Sequence, residues 1–325
     1  MNELNYIIKD ILDDLKKVLD NAGIYYRIFA RQKANSSIKK KLNIKADKYR
    51  ENGEKMQDII GIRIVFYFMD DIEIINEYLH LLPTFVDESN SHEDIKKVNE
   101  TLKEFGDLND KIFMPTRLNL ILRMEERHTE ELQKELSNVD INEFDAALID
   151  NTYEIQLRTV LSEGWHEVEH DLRYKTLKES WWQYCDAESR MLNGIYATLE
   201  TSERAMSHIF SDIAYKNYRN KEWAAMLRNH LRLHTLDLEL SENIVNVLNE
   251  NIELAKCIFR IDRKNIIDKL LNFGMAYPLK MDNLVFLINR LLQNPSKELK
   301  DMENGIIKGL LDKKLGEHFI NPSKR

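Results

Sequence analysis

Cysteine, proline and glycine are scarce in this 325-residue chain, at two, five and ten residues. Cys185 and Cys257 stand far apart and are too few for a disulfide framework. Reduced thiols of a cytosolic protein are the simpler expectation. Few turn-forming residues beside plentiful Leu, Ile, Lys, Glu and Asn argue for a helix-rich fold with few tight hairpins. No apolar run approaches the length of a membrane span. The start, MNELNYIIKDILDDLKK, is acidic and amphipathic and lacks the apolar core of a signal peptide, so a soluble cytoplasmic protein with no membrane contact is expected. No Gly-rich loop is present, which excludes a Walker-type phosphate site. The net charge of -8 disfavours a general nucleic-acid binder and leaves nucleotide binding to a local basic cluster.

What is present is an ordinary apolar content and enough length for two domains. Residues 3–21 repeat apolar positions at helical spacing, from Leu4 through Ile7, Ile8, Ile11, Leu12 and Leu15 to Leu19. A basic segment follows, with Arg27, Arg31, Lys33, Lys39, Lys40, Lys41 and Lys45. Ile59–Phe68 reads as a buried strand and the run after Asp71 as a helix. Residues 85–110 carry no strong period and read as a loop or short helix. Leu118–Leu122 is a second strand, EERHTEELQKELSN a solvated helix and Tyr153–Leu157 a third strand. Val160–Lys175 and 186–213 read as helices.

From about residue 218 only short helical patterns follow, and Asn265, Asn283 and Asn304 stand ahead of three of them as N-caps would. The composition shift predicts a mixed α/β (α+β) domain over 1–215 and an all-α domain over 216–325.

The third strand carries the most telling pattern. Period-2 alternation puts Glu154, Gln156 and Arg158 on one face and Tyr153, Ile155 and Leu157 on the other. A half-exposed edge strand with its polar face in water is one reading. The functional one is a carboxylate held on a rigid element beside an amide and a guanidinium. Asp58, directly before the first strand, is a cap or turn residue on its own; paired with Glu154 it could hold Mg²⁺. Arg63 lies inside an apolar strand and needs a counter-ion, a stacked aromatic or a ligand. The basic segment would supply phosphate contacts, or else be a solvated helix face.

His166, Glu167 and His170 spell H-E-x-x-H, the spacing of a zinc metallopeptidase, with Glu188 available as a third ligand. Four-residue spacings recur by chance in charged helices, and this reading leaves Glu154, Gln156, Arg158, Asp58 and the basic segment without a role. The structural alternative turns Trp165, Val168 or Glu169, and Leu172 inward and leaves His166 nearer solvent. His170-Asp171 also invites comparison with HD-type metal phosphohydrolases, but His92, His128, His208, His230 and His234 form no matching pattern.

Three blocks in order resemble the synthetase domain of the RelA/SpoT family, especially the small alarmone synthetases. They are Arg31-x-Lys33 with Ser37-Ile38 and Lys41; Met56-Gln57-Asp58-Ile59-Ile60-Gly61-Ile62-Arg63-Ile64; and Glu154-Ile155-Gln156-Leu157-Arg158-Thr159 with Trp165, Glu169-His170 and Tyr174-Lys175. The resemblance spans roughly 20–210. It implies a nucleotidyltransferase-like mixed sheet flanked by helices and transfer of the β,γ-pyrophosphate of ATP to the 3′-hydroxyl of GTP or GDP with Mg²⁺. It implies that Arg31 and Arg63 stack on adenine, that Lys33 and Lys41 hold the ATP phosphates, and that Asp58 and Glu154 bind the metal. Glu154 would also help deprotonate the attacking hydroxyl, with Gln156 and His170 supporting it. Such chemistry needs positioning and charge neutralisation more than covalent catalysis.

One block departs from the family. Where it carries Gly-Tyr-x-Ser-x-His, this chain reads Phe113-Met114-Pro115-Thr116-Arg117-Leu118-Asn119-Leu120. The acceptor residues expected here are therefore Arg117 and Asn119, with Arg158 beside them. The acceptor is a guanosine nucleotide or another nucleotide; a tRNA 3′ end, as in toxin-like relatives, is an alternative. A non-catalytic nucleotide sensor is a further one. The C-terminal helices could carry self-association or a regulatory partner.

Overall fold

A computed structural model describes residues 4–49, 53–90, 118–138, 144–174, 182 and 184–315. The chain divides into two compact units, one of Met1–Lys16 with Tyr26–Arg204 and one of Lys17–Tyr25 with Ala205–Arg325.

The first unit is a five-stranded mixed sheet flanked by helices. Its strands are β1 (Tyr26–Gln32), β2 (Ile60–Phe66), β3 (Phe85–Asn90), β4 (Leu118–Arg123) and β5 (Thr152–Thr159), in the order β1-β2-β5-β4-β3. β2 and β5 run parallel and the other pairs antiparallel. The strand that carries Glu154 is therefore central, not the half-exposed edge that its alternation also allowed. An Ile62–Ile155–Leu120 row and an Ile64–Leu157–Leu118 row cross the sheet on one face, all buried. The polar residues of β5 lie on the other face. A slip of one residue would exchange the two faces, so burial of these rows locks the register that builds the site.

Two strands were not legible as strands. β1 begins inside what reads as a basic segment, because Arg27, Phe29 and Arg31 are exposed and alternate with half-buried Tyr26, Ile28, Ala30 and Gln32. β3 is a polar edge strand paired, among the described residues, only to β4, within a stretch expected to be loop or short helix.

The helices of this unit include the first part of α1 (Asn5–Ala22), whose end from Lys17 belongs to the second unit, and α2 (Asn35–Ile44), α3 (Met69–His80), α4 (Glu126–Ser137) and α5 (Val160–Glu169); a π turn at His170–Tyr174 extends the last. α6 (Asp186–Arg219) is a single 34-residue helix. α4 is less solvated than its charge suggests, because His128, Leu132 and Leu136 are buried on one face.

The second unit, described by itself, stacks short helices α7 (Trp223–Leu231), α8 (Glu242–Glu250), α9 (Ile252–Phe259), α10 (Arg263–Asn272), α11 (Met281–Leu291), α12 (Lys297–Asp301) and α13 (Gly305–Leu315). Gly23 ends α1 at φ +67°; a Cβ there would meet Leu279 at 2.7 Å, so both conformation and space require glycine. Of the three expected N-caps, Asn304 accepts from the amides of Ile306 and Ile307. Asn265 and Asn283 lie inside α10 and α11; Asp262 caps the first, and Asn283 instead donates to the Pro278 carbonyl. Neither Cys185 nor Cys257 is in a disulfide among the described residues. No helix among the described residues is long and apolar enough to cross a membrane.

Candidate active site

The loop before β2 is held where a side chain can be aimed with little freedom. Met56 donates to the Leu148 carbonyl at 2.7 Å and accepts from the Asp150 amide at 2.9 Å. Thr152 Oγ1 donates to the Gln57 carbonyl at 3.2 Å, and the Lys33 amide donates to the Ile59 carbonyl at 2.8 Å. These bonds fix Asp58 between the end of β1 and the start of β5.

Lys33 follows β1 directly, and Lys41 projects from α2, whose Ile38 and Leu42 are buried anchors. Both ammonium groups donate to Asp58 Oδ2 at 2.6 Å. The three side chains retain 20%, 28% and 21% of their exposure in the order Lys33, Lys41, Asp58. Burial alone would raise the Asp58 carboxyl, but the two lysines outweigh it and hold it below the ordinary carboxylate range. Lys33 is pulled down by burial in spite of Asp58. For Lys41 burial is opposed by the Asp58 hydrogen bond and charge, and the net direction is upward. Asp58 Oδ1 is buried and has no hydrogen-bond partner among the described residues.

Glu154 faces this cluster from β5, opposite Gly61 in the parallel register. Its Oε2 accepts from Gln156 Nε2 at 3.0 Å. Gln156 Oε1 in turn accepts from Arg63 Nε at 3.3 Å and from Arg158 Nη2 at 3.4 Å. One amide thus orients the carboxylate and ties it to two guanidinium groups.

Arg63 finds the counter-ion its strand position requires. It donates to Glu163 Oε1 at 2.6 Å and to Glu167, both on α5. Glu163 also approaches Arg158 Nε at 3.5 Å. Burial would lower the Arg63 guanidinium; the two glutamates more than offset it and raise it. Sequence reasoning missed Glu163 and placed Glu167 only in the H-E-x-x-H motif, although four-residue spacing on a helix directly after β5 marks them as one face.

The cleft so formed is lined by Phe29, Arg31, Lys33, Asp58, Gly61, Arg63, Glu154, Gln156 and Glu167, among others. It brings together seven of the eleven expected site residues: Arg31, Lys33, Asp58, Arg63, Glu154 and Gln156 as lining, and Lys41 through Asp58. Arg158 joins through Gln156 and Glu163. Asn119 pairs with Gln156 across the antiparallel β4–β5 register, on the same side of the sheet. Its Oδ1 is buried and without a hydrogen-bond partner among the described residues. Arg117 and the side chain of His170 lie outside the described residues.

α5 corrects the expected packing of the H-E-x-x-H stretch. Ser162, Trp165, His166 and Glu169 face inward, whereas Val168 and Leu172 are exposed. His166 keeps 4% of its exposure and packs against the rings of Trp165 and Tyr196, at 5.2 and 5.6 Å between centroids. Glu167 turns instead to Arg63. Histidine and glutamate thus enter different surroundings, and among the described residues no group of three or more His, Cys, Asp or Glu is disposed to hold a metal ion.

Residues 30–179 match the family model described as "Region found in RelA / SpoT proteins". Similar solved structures include a GTP pyrophosphokinase family protein from Streptococcus pneumoniae, at 20% identity over 63% of this chain and 87% of that one, with a TM-score of 0.42. Small alarmone synthetase 1 from Bacillus subtilis gives 21% identity, 63% and 91% coverage and a TM-score of 0.40. Small alarmone synthetase 2 from the same organism gives 20%, 63% and 94%, and 0.38. No curated protein matches the chain. The family match spans the blocks that converge on this cleft, from Arg31 to the turn after α5, so it is residues 30–179 that are similar to the region found in RelA/SpoT proteins.

Proposed function

We propose that this chain is an ATP-dependent pyrophosphokinase, transferring the β,γ-pyrophosphate of ATP to the 3′-hydroxyl of a second nucleotide. The observation that carries this reading is the pairing of two buried-side lysines on Asp58 with Glu154 across the same cleft. The family match agrees with it. In this reading the chemistry belongs to residues 1–215, and 216–325 is a separate helical region.

The acceptor oxygen attacks the β-phosphorus of ATP. A new oxygen–phosphorus bond forms, the bond from the β-phosphorus to the α,β-bridging oxygen breaks, and AMP leaves. Glu154 receives the proton of the attacking hydroxyl, while Gln156 keeps the carboxylate aimed by donating to Oε2. Lys33 and Lys41 take the phosphate charge, and Arg31 at the lip of the cleft adds to that field. A divalent cation fits Asp58 and Glu154: both offer hard oxygen donors, Asp58 Oδ1 is buried without a hydrogen-bond partner among the described residues, and Mg²⁺ commonly takes one or two carboxylates beside substrate phosphates. When bound there, Mg²⁺ would supply neutralisation of the transferring group's charge.

Asn119, beside the cleft-lining Gln156 on the same side of the sheet, supports a nucleotide acceptor on the β4 side, where its Oδ1 would accept from a donor group of the incoming molecule. GTP or GDP is the first acceptor to test. With ATP, Mg²⁺ and each nucleoside di- and triphosphate in turn, AMP and a pyrophosphorylated acceptor should form together. Glu154→Ala should slow this by at least about 100-fold, the scale of losing a general base. No AMP release with any nucleotide acceptor would refute the reading.

A further inference from the structure

Phe29 is an aromatic residue on the binding side of the sheet for which neither the core nor the proposed chemistry has a use. It sits in the middle of β1, an edge strand, and is 53% exposed. Burying such a ring normally stabilises a fold, and scattered exposed apolar residues are common. Phe29, however, lines the cleft together with Arg31, Gly61 and Arg63.

The register makes its surroundings specific. Phe29 lies directly opposite Arg63, and Arg31 directly opposite Gly61. Those two β2 positions face Gln156 and Glu154 on the other side. The glycine is central to the arrangement: a Cβ placed on Gly61 would meet nothing within 4 Å. The floor between Phe29, Arg31 and Arg63 is bare backbone with open space above it. A flat ring can lie there without displacing a side chain.

Arg63 is tied by its N–H edge to Gln156, Glu163 and Glu167. Hydrogen bonds to a guanidinium lie in its plane and leave its faces available for stacking. The tether also draws the Arg63 head toward α5. Phe29 has no such tether and presents a neutral π-surface at the lip, close to the phosphate-binding lysine that ends the same segment.

We propose that Phe29 is the stacking platform for the purine base of the donor nucleotide, working with Arg31 and Arg63 around the open floor at Gly61. This rests on the nucleotide-transfer reading and deepens it. A phenyl face stacks on any base, but its contact area is larger for a purine, so Phe29 sets a preference for ATP over pyrimidine triphosphates. It does so without adding to the positive charge that already serves the phosphates.

The test is equilibrium binding to the full chain in the presence of Mg²⁺, with a non-hydrolysable ATP analogue and with inorganic tripolyphosphate as a base-free probe. Base–aromatic stacking predicts that Phe29→Ala weakens the analogue by about 10-fold and leaves tripolyphosphate unchanged. Phe29→Trp should retain analogue affinity, and its fluorescence, taken as the difference from wild type, should be quenched by the analogue but not by tripolyphosphate. Equal affinity of wild type and Phe29→Ala for the analogue would overturn the proposal. So would equal weakening of both ligands, which would mark a distorted strand. Wild-type protein that binds neither ligand would bring down the nucleotide reading itself, a result distinguishable from either.

Discussion

Asp58→Asn keeps the size of the side chain and removes the charge on which two lysines depend. Both ammonium groups lie 2.6 Å from the same oxygen, and all three side chains are mostly buried. Two ammonium groups about 5 Å apart at an effective dielectric of about 20 repel by about 3 kcal/mol. In the native site the carboxylate masks this repulsion. Without it, Lys33, which burial already pulls downward, can relieve part of the strain by losing its proton. The net destabilisation should then be about 2 kcal/mol near neutral pH, a drop in Tm of about 4–8 °C for a unit of about 150–250 residues.

The sign of the ligand effect follows from the same geometry. A polyphosphate can replace the missing carboxylate, so ATP or tripolyphosphate without any metal should raise the Tm of Asp58→Asn by more than that of wild type. In wild type the two lysines are already occupied. The deficit should also shrink as pH rises and Lys33 deprotonates. Scanning calorimetry of both proteins with EDTA, with and without tripolyphosphate, decides the matter. An unchanged Tm in the variant, or an equal polyphosphate shift in both proteins, would refute the claim that Asp58 holds the lysines in reserve.

Two further outcomes can be checked independently. His230 is buried in the helical unit and its Nε2 lies 2.8 Å from the Ile261 carbonyl; burial lowers its proton affinity. Stability from the neutral ring is present above the unfolded histidine value of about 6.5 and is lost as pH falls through the lower folded value. Urea unfolding of wild type should therefore weaken between pH 7 and pH 5, and His230→Gln should flatten that dependence; parallel curves would refute it. Asn119→Ala should lower kcat/KM for the acceptor by about 5- to 30-fold, the scale of one buried hydrogen bond of about 1–2 kcal/mol, and leave the KM for ATP unchanged. An equal change for both substrates would show that Asn119 does not act on the acceptor side.

The three central strands were readable because their residues answer to burial on at least one face. Ile60, Ile62 and Ile64, and Ile155 and Leu157, alternate with the residues of the site. The edge strands were not readable for the same reason. β1 interleaves basic residues with half-buried ones, and β3 is polar enough that pairing with β4, rather than its own pattern, makes it a strand. Local pattern registers only the burial that a residue's own neighbours share, and edge strands share little.

The site was legible as a set of side chains and not as a set of pairings. Alternation along β5 put Glu154, Gln156 and Arg158 together, and the demand of Arg63 for a partner was evident from its apolar strand. Identifying Glu163 and Glu167 as that partner required α5 to fold back over β2, a relation between residues about 100 positions apart. The inward turn of His166 likewise packs it against Tyr196 on α6, which no window around H-E-x-x-H contains. Periodicity and residue type by themselves determined which groups this protein could bring to bear: two lysines, two carboxylates, an amide and a set of arginines. Tertiary structure alone decided that both lysines share one oxygen of Asp58, that Gln156 steers Glu154, and that Phe29 stands exposed opposite Arg63 in the same cleft. Charge and hydrophobicity are properties of each residue, whereas distance and desolvation exist only once the chain has closed on itself.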